Sequence, residues 1–142
     1  MNIFEEYKHK ILNIIKKAEK DKLLILPENL NAINVDSTPP KIDFDLSTNV
    51  SMVLSKPNNK SPNLIADIII DLLKKDDHNI DQISFAKPGF INIKFNKSYW
   101  SNFANKLINI SHNYGSSNNN KKKYLVEFVS ANPTGPLHVG HC

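Results

Sequence analysis

Two histidines, His138 and His141, stand three residues apart with Gly140 between them. On the first turn of a helix that spacing puts both imidazoles on one face, where they can donate to ATP phosphates and stabilise the charge that builds up during adenylyl transfer. Gly140 leaves room for adenine to approach the backbone. The run before them reads as strand, loop and helix start: Tyr124 to Val129 is short and apolar, Asn132, Pro133, Gly135 and Pro136 interrupt it, and the chain restarts at His138. In open parallel α/β sheets nucleotides bind at such a junction, because helix N-terminal amides point at phosphates. Two other readings fit the same residues. His138, His141 and Cys142 could ligate zinc, although ligands crowded into one short run with no distant partner are not the usual arrangement. The histidines could also be an ordinary surface pair at a helix start.

A second constellation lies at positions 87–95. Ile91, Ile93 and Phe95 alternate with Phe90, Asn92 and Lys94, so in a strand the first set faces a core and the second set faces away. An outward Phe90, an amide at Asn92 and lysines at 87 and 94 combine a stacking platform, a hydrogen-bonding group and charge that attracts phosphate. That combination suits an unstacked RNA base. The plainer reading is that a neighbouring helix covers Phe90 and that Asn92 merely decorates a strand.

The elements that position these residues follow from periodicity. From Asn2 to Lys22 the residues Phe4, Tyr7, Ile11, Ile14, Ile15 and Ala18 share one helical face, and Asn2 and Glu5 have capping-box spacing. Ile33 and Val35 suggest a short strand before the Pro39–Pro40 break, and a short helix is expected over Ser47–Ser55. Ser61 as N-cap and Pro62 at the first helical position introduce the stripe Leu64, Ile65, Ile68, Ile69, Leu72 and Leu73. Ile83 and Phe85, a Pro88–Gly89 turn, and Ile91, Ile93 and Phe95 describe an antiparallel hairpin. A last helix begins near Ser98 with Trp100, Phe103, Ala104, Leu107 and Ile108 as its apolar face. Helices flanking a hairpin without regular strand and helix alternation predict an α+β fold, a small antiparallel sheet packed on helices. The boundaries expected are a first domain at 1–112, a linker of Gly, Ser, Asn and Lys at 113–123, and the partial start of a second fold at 124–142. Tyr124–Val129 would then be a strand without sheet partners, expected either to be unordered or to pair with another chain.

The whole-chain numbers bound the reading. At 142 residues there is material for one ordinary domain and little more, so any second fold is partial. No run approaches the roughly 18 to 20 apolar residues that span a bilayer, and the acidic start at Glu5 and Glu6 does not suit a targeting peptide, so a cytoplasmic protein without membrane contact is expected. One cysteine excludes an internal disulfide framework. The net charge of +4 favours a polyanionic partner without identifying it, and all 18 basic residues are lysine, which offers point charges and no guanidinium fork. The wealth of Asn, Lys and Ile reads as genomic composition and not as a functional tract.

HVGH resembles the first signature motif of class I aminoacyl-tRNA synthetases. The longer run VEFVSANPTGPLHVGH is similar, almost residue for residue, to the stretch around that motif in bacterial arginyl-tRNA synthetases. Upstream, FDLSTNVSMVLSK and AKPGFINIKF resemble segments of the additional N-terminal domain of the same family, so the likeness covers most of residues 42–142.

The resemblance implies an N-terminal fragment: an additional tRNA-binding domain followed by the first strand and loop of a truncated Rossmann-type catalytic domain. It implies that His138, Gly140 and His141 bind ATP, with His138 and His141 assisting formation of arginyl-adenylate, and that Glu127, Ser130 and Asn132 contact arginine. Glu127 can pair with a guanidinium, and Ser130 and Asn132 can hold an α-amino group. It implies tRNA-binding through Phe90 and Asn92, flanked by Lys87 and Lys94, on the D-loop of arginine tRNA; Lys87 stands where relatives can carry another polar group. ATP with Mg2+ and L-arginine would serve the full-length enzyme, with no cofactor held tightly by this fragment, no resident metal and no catalysis by the fragment alone. The alternatives are a stand-alone RNA-binding module and a different HxGH nucleotidyltransferase.

Overall fold

The computed structural model describes residues 2–110, 114–115, 123–127 and 135–136. Helix α1 runs over Ile3–Lys20, strand β1 over Val35–Ser37, β2 over Leu46–Thr48, helix α2 over Val50–Ser55, α3 over Pro62–Asp76, β3 over Ile80–Ala86, β4 over Phe90–Phe95 and α4 over Lys97–Ile110. The four strands form one sheet in the order β1-β2-β4-β3, every neighbouring pair antiparallel. Since β2 and β3 both oppose β4, they run parallel to each other, and α2 and α3 make the crossover between them. The expected α+β fold is the one observed.

Local signals set the helix starts. Asn2 caps α1 by accepting from the amides of Phe4 and Glu5, and Ser61 caps α3 by accepting from Leu64, with Pro62 in the first turn. Tyr7, Ile11, Ile14 and Ile15 of α1 meet Ile65, Ile69 and Leu73 of α3 over Leu46, Ile91, Ile93 and Phe95 of the sheet. This is a two-layer core with helices on one sheet face.

The expected start of α2 and the expected face of α4 change. Ser47 and Thr48 belong to β2 and not to a helix; α2 begins at Val50, whose amide donates to Thr48 Oγ1. A three-residue strand is too short to declare itself by alternation, and its place is set by the ladder it forms with β4. In α4 the inward stripe is Tyr99, Phe103, Leu107 and Ile110, while Trp100, Ala104 and Ile108 are exposed. Asn96 fixes the phase: its Oδ1 accepts from the Tyr99 amide and the Ser98 hydroxyl, which starts the helix directly after β4 and lays Tyr99 over Phe95 with ring centroids 4.3 Å apart. The Tyr99 hydroxyl is buried with no hydrogen-bond partner among the described residues, and burial pushes it up to about 12.

One buried charge joins the two long helices. Asp77, just past α3, accepts from the Tyr7 hydroxyl at 2.6 Å, pairs with Lys10 Nζ at 2.8 Å, and accepts from both the backbone and side-chain amides of Asn79. Burial by itself would raise this carboxyl, but the hydrogen bonds from Lys10, Tyr7 and Asn79 outweigh it and hold the group below the usual carboxylate range. The Tyr7 hydroxyl is driven up, first by burial and then by Asp77.

Residues Lys123–Glu127 are exposed and adopt no regular secondary structure. The expected strand over Tyr124–Val129 is therefore not formed at Tyr124–Glu127, where no neighbouring strand among the described residues supplies a ladder. Phe128 and Val129 lie outside the described residues.

Two stability measurements follow from this core. A carboxyl depressed in the folded state stabilises it fully above the unfolded value and loses that contribution as pH falls through the folded one, so stability should decline below about pH 4. Asp77→Asn should flatten that acid limb and cost about 1.5–3 kcal/mol at neutral pH, read by denaturant unfolding; an unchanged limb would remove Asp77 as its source. On β4, Ile93→Ala should cost about 2–5 kcal/mol and Phe90→Ala less than about 1, and equal losses would make Phe90 a core residue.

Candidate nucleic-acid interface

The face of the sheet turned away from the helices carries the residues that the core excludes. Registration places Asp36 opposite Ser47, Ser47 opposite Asn92 and Asn92 opposite Ser84, a polar row crossing all four strands. Phe90, beside Ala86, stands one step nearer the hairpin turn. Over part of this face opens a cavity of about 480 Å³, within the range of small-ligand sites. Phe90, Asn92 and Ser47 line its sheet side, Pro39 and Ile42 come from the loop after β1, Met52 from α2, and Lys87 from the turn.

The framework around it is tied down through backbone groups. The Ser51 hydroxyl donates to the Gly89 carbonyl at 2.6 Å. A Cβ on Gly89 would come 2.2 Å from Met52 Cγ and 3.1 Å from Pro62 Cβ, so only glycine lets the turn close on α2. That turn, with its cis Lys87–Pro88 peptide bond, delivers Phe90 to the cavity. On the far side Asn49 accepts from the Asn34 amide and donates to the Ala32 carbonyl, so both ends of its side chain are spent on the chain leading into β1. The Thr38 hydroxyl donates to the Phe44 carbonyl and closes the loop carrying Pro39 and Ile42.

Side-chain chemistry then distinguishes the lining groups. Asn92 is only 5 % exposed; its Oδ1 accepts from the Ser47 hydroxyl at 2.8 Å, and its amide N–H groups have no protein acceptor among the described residues. Phe90 is 37 % exposed, enough ring surface for stacking. Lys87 is exposed at the mouth and Asp36 lines the same cavity, so one ammonium and one carboxylate flank an otherwise neutral site. This is not a phosphate trap. A flat, neutral ring with polar edges fits better, stacked on Phe90 and hydrogen-bonded by Asn92.

Of the residues singled out from the sequence, Phe90, Asn92 and Lys87 come together around this cavity. Lys94 does not line it: its ammonium pairs with Asp43 at 2.6 Å, and that hydrogen bond raises its pKa. Glu127 is exposed within the segment at 123–127. Ser130, Asn132, His138, Gly140 and His141 lie outside the described residues, as does Cys142 of the zinc reading. Sequence reasoning missed Ser47, Asp36 and Met52. Leu46, Ser47 and Thr48 do alternate, but only the pairing with β4 reveals which side Ser47 occupies.

Residues 5–95, ending with β4, match the family described as the arginyl tRNA synthetase N terminal domain. All of this chain aligns with the arginine–tRNA ligase of Pelagibacter ubique at 62 % identity, covering 25 % of that protein. It also aligns in full with those of Bartonella bacilliformis at 43 % and Rhizobium etli at 37 %, covering 24 % of each. The chain thus spans about a quarter of the length of the curated relatives it matches. With its matched residues running from the first helix through the strand that carries Phe90 and Asn92, the chain belongs to the arginyl-tRNA synthetase N-terminal domain family.

Proposed function

We propose that this chain is the N-terminal part of a cytoplasmic arginine–tRNA ligase, and that the cavity over Phe90 and Asn92 receives an unstacked base of the D-loop of arginine tRNA. The observation that carries the reading is the cavity itself: an open aromatic face beside a nine-tenths buried amide whose donors meet no acceptor among the described residues, in a family named for a tRNA synthetase. Phe90 supplies a stacking surface indifferent to sequence, Asn92 supplies a hydrogen bond that is not, and Lys87 draws the backbone toward the mouth. Lys94, held by Asp43, contributes little free charge.

The same reading assigns residues 1–112 to tRNA binding, 113–123 to a linker and 124–142 to the start of a Rossmann-type catalytic domain. In the longer protein, His138, Gly140 and His141 would hold ATP with its Mg2+ and the two histidines would stabilise the charge of adenylyl transfer. Glu127, Ser130 and Asn132 would hold arginine. Glu127 is solvent-exposed in this chain. tRNA binding is the activity assigned to these residues, and catalysis to the longer protein.

Binding of the chain to arginine tRNA, and to transcripts with D-loop bases replaced, tests the reading at several salt concentrations. Affinity should fall with salt, and Phe90→Ala should weaken it about tenfold or more, since stacking on an aromatic is worth about 1–3 kcal/mol. Replacing the base that Phe90 holds should give a similar loss, and the two losses should not add. Binding indifferent to both changes would reduce the interaction to lysine charge. In a longer protein that contains these residues, His141→Ala should slow aminoacylation about a hundredfold while tRNA affinity stays the same; a loss confined to tRNA affinity would contradict the role given to it.

A further inference from the structure

Ser47 lies opposite Asn92 across the β2–β4 ladder, and its hydroxyl donates to Asn92 Oδ1 at 2.8 Å. An asparagine side chain carries an acceptor and a pair of donors that exchange places on a half-turn, so an untethered amide could meet either kind of base edge. Here the carbonyl end is held by a neighbour in the same sheet, and the N–H groups are left without a protein acceptor among the described residues, at a side chain that lines the cavity. Asn49, in the same lining, shows the contrast: each end of its amide is tied to a backbone group, so its orientation is fixed by the chain and not by a ligand. A hydroxyl has one proton to give. Ser47 also faces Asp36 across the β1–β2 ladder, yet its proton goes to Asn92, not to the carboxylate.

We infer that Ser47 is a positioning residue that sets the polarity of the site: by holding the Asn92 carbonyl it turns the amide donors into the cavity, so the base accepted is one that presents a hydrogen-bond acceptor, a ring nitrogen or a carbonyl, to Asn92. This rests on the base-binding reading above and adds the kind of edge that is read. Loss of the Ser47 hydroxyl removes no contact with the base. It frees the amide to turn, so the site keeps most of its affinity and loses its preference for an acceptor.

The test uses the full chain and semisynthetic arginine tRNAs that carry, at the D-loop position whose contact depends on Phe90, atomic variants of the natural base. One variant lacks an acceptor, with a ring nitrogen replaced by C–H or a carbonyl removed; another lacks a donor, with an amino or imino hydrogen removed. Wild type should lose about three- to tenfold in affinity on deletion of the acceptor that Asn92 meets, the value of one hydrogen bond, and less than about twofold on deletion of a donor. Ser47→Ala should bring the two losses to within about twofold of each other, and Ser47→Thr, which keeps the hydroxyl on a residue suited to a strand, should restore the difference. Thermal unfolding of both variants separates this from loss of fold, which would weaken all the RNAs alike. Sensitivity of wild type to donor deletion alone, or an acceptor preference unchanged in Ser47→Ala, overturns the inference while leaving the base site in place. If Phe90→Ala leaves binding intact at every D-loop position, the base site and this inference fall together.

Discussion

β4 is bonded along both edges, to β2 on one side and β3 on the other, and that double ladder decides which residues are core and which are site. Its inward set, Ile91, Ile93 and Phe95, is almost wholly buried against α1 and α3; its outward set begins with Phe90 and Asn92. A slip of one residue would bury an amide and a lysine under the helices and turn the isoleucines to solvent, so the register cannot drift without dismantling the core. The cavity inherits its precision from that constraint. Phe90 need not be packed to be held, because the strand that carries it is.

The two sides of the sheet solve different problems with the same strands. On the helix side, the buried carboxylate of Asp77 is satisfied by four donors, which is what a carboxylate 3 % exposed requires. On the other side, Asn92 is nearly as buried, yet its donors meet no acceptor among the described residues. A core would exclude such a group. At the floor of an open cavity it is tolerated because water or a ligand can reach it, and leaving it unspent inside the protein makes it available for recognition.

Much of this was legible in the sequence because the relevant signals are local. Asn2 and Ser61–Pro62 mark helix starts by capping chemistry, and the alternation from Phe90 to Phe95 announces both a strand and its two faces. What was not legible depends on partners distant in the chain. β2 exists because Leu46, Ser47 and Thr48 meet Ile93, Asn92 and Ile91, and no property of three residues alone foretells that. The periodicity of α4 places Phe103 and Leu107 inward correctly but cannot choose between Tyr99 and Trp100, because Asn96 sets the helix start, bringing Tyr99 inward and leaving Trp100 outside. Lys94 reads as a phosphate contact until Asp43, from a loop far earlier in the chain, is found beside it. The assignment of Glu127 to arginine owes everything to resemblance, since the described residues at 123–127 make no packed structure that could position it.

The absence of arginine from the chain makes the division of labour sharper. A guanidinium can carry charge and geometry in one group; lysine carries charge with little direction. Among the groups that line the cavity, attraction and discrimination must then rest on different side chains. A lysine such as Lys87 can attract a polyanion but cannot tell one base edge from another, while an aromatic face such as that of Phe90 does not discriminate between rings. Direction is left to a neutral amide, and a neutral amide discriminates only if its two ends are told apart by the protein. In this fold the hydrogen bond that holds one end of that amide comes from one hydroxyl on a three-residue strand, placed there by the same ladder that seals the core.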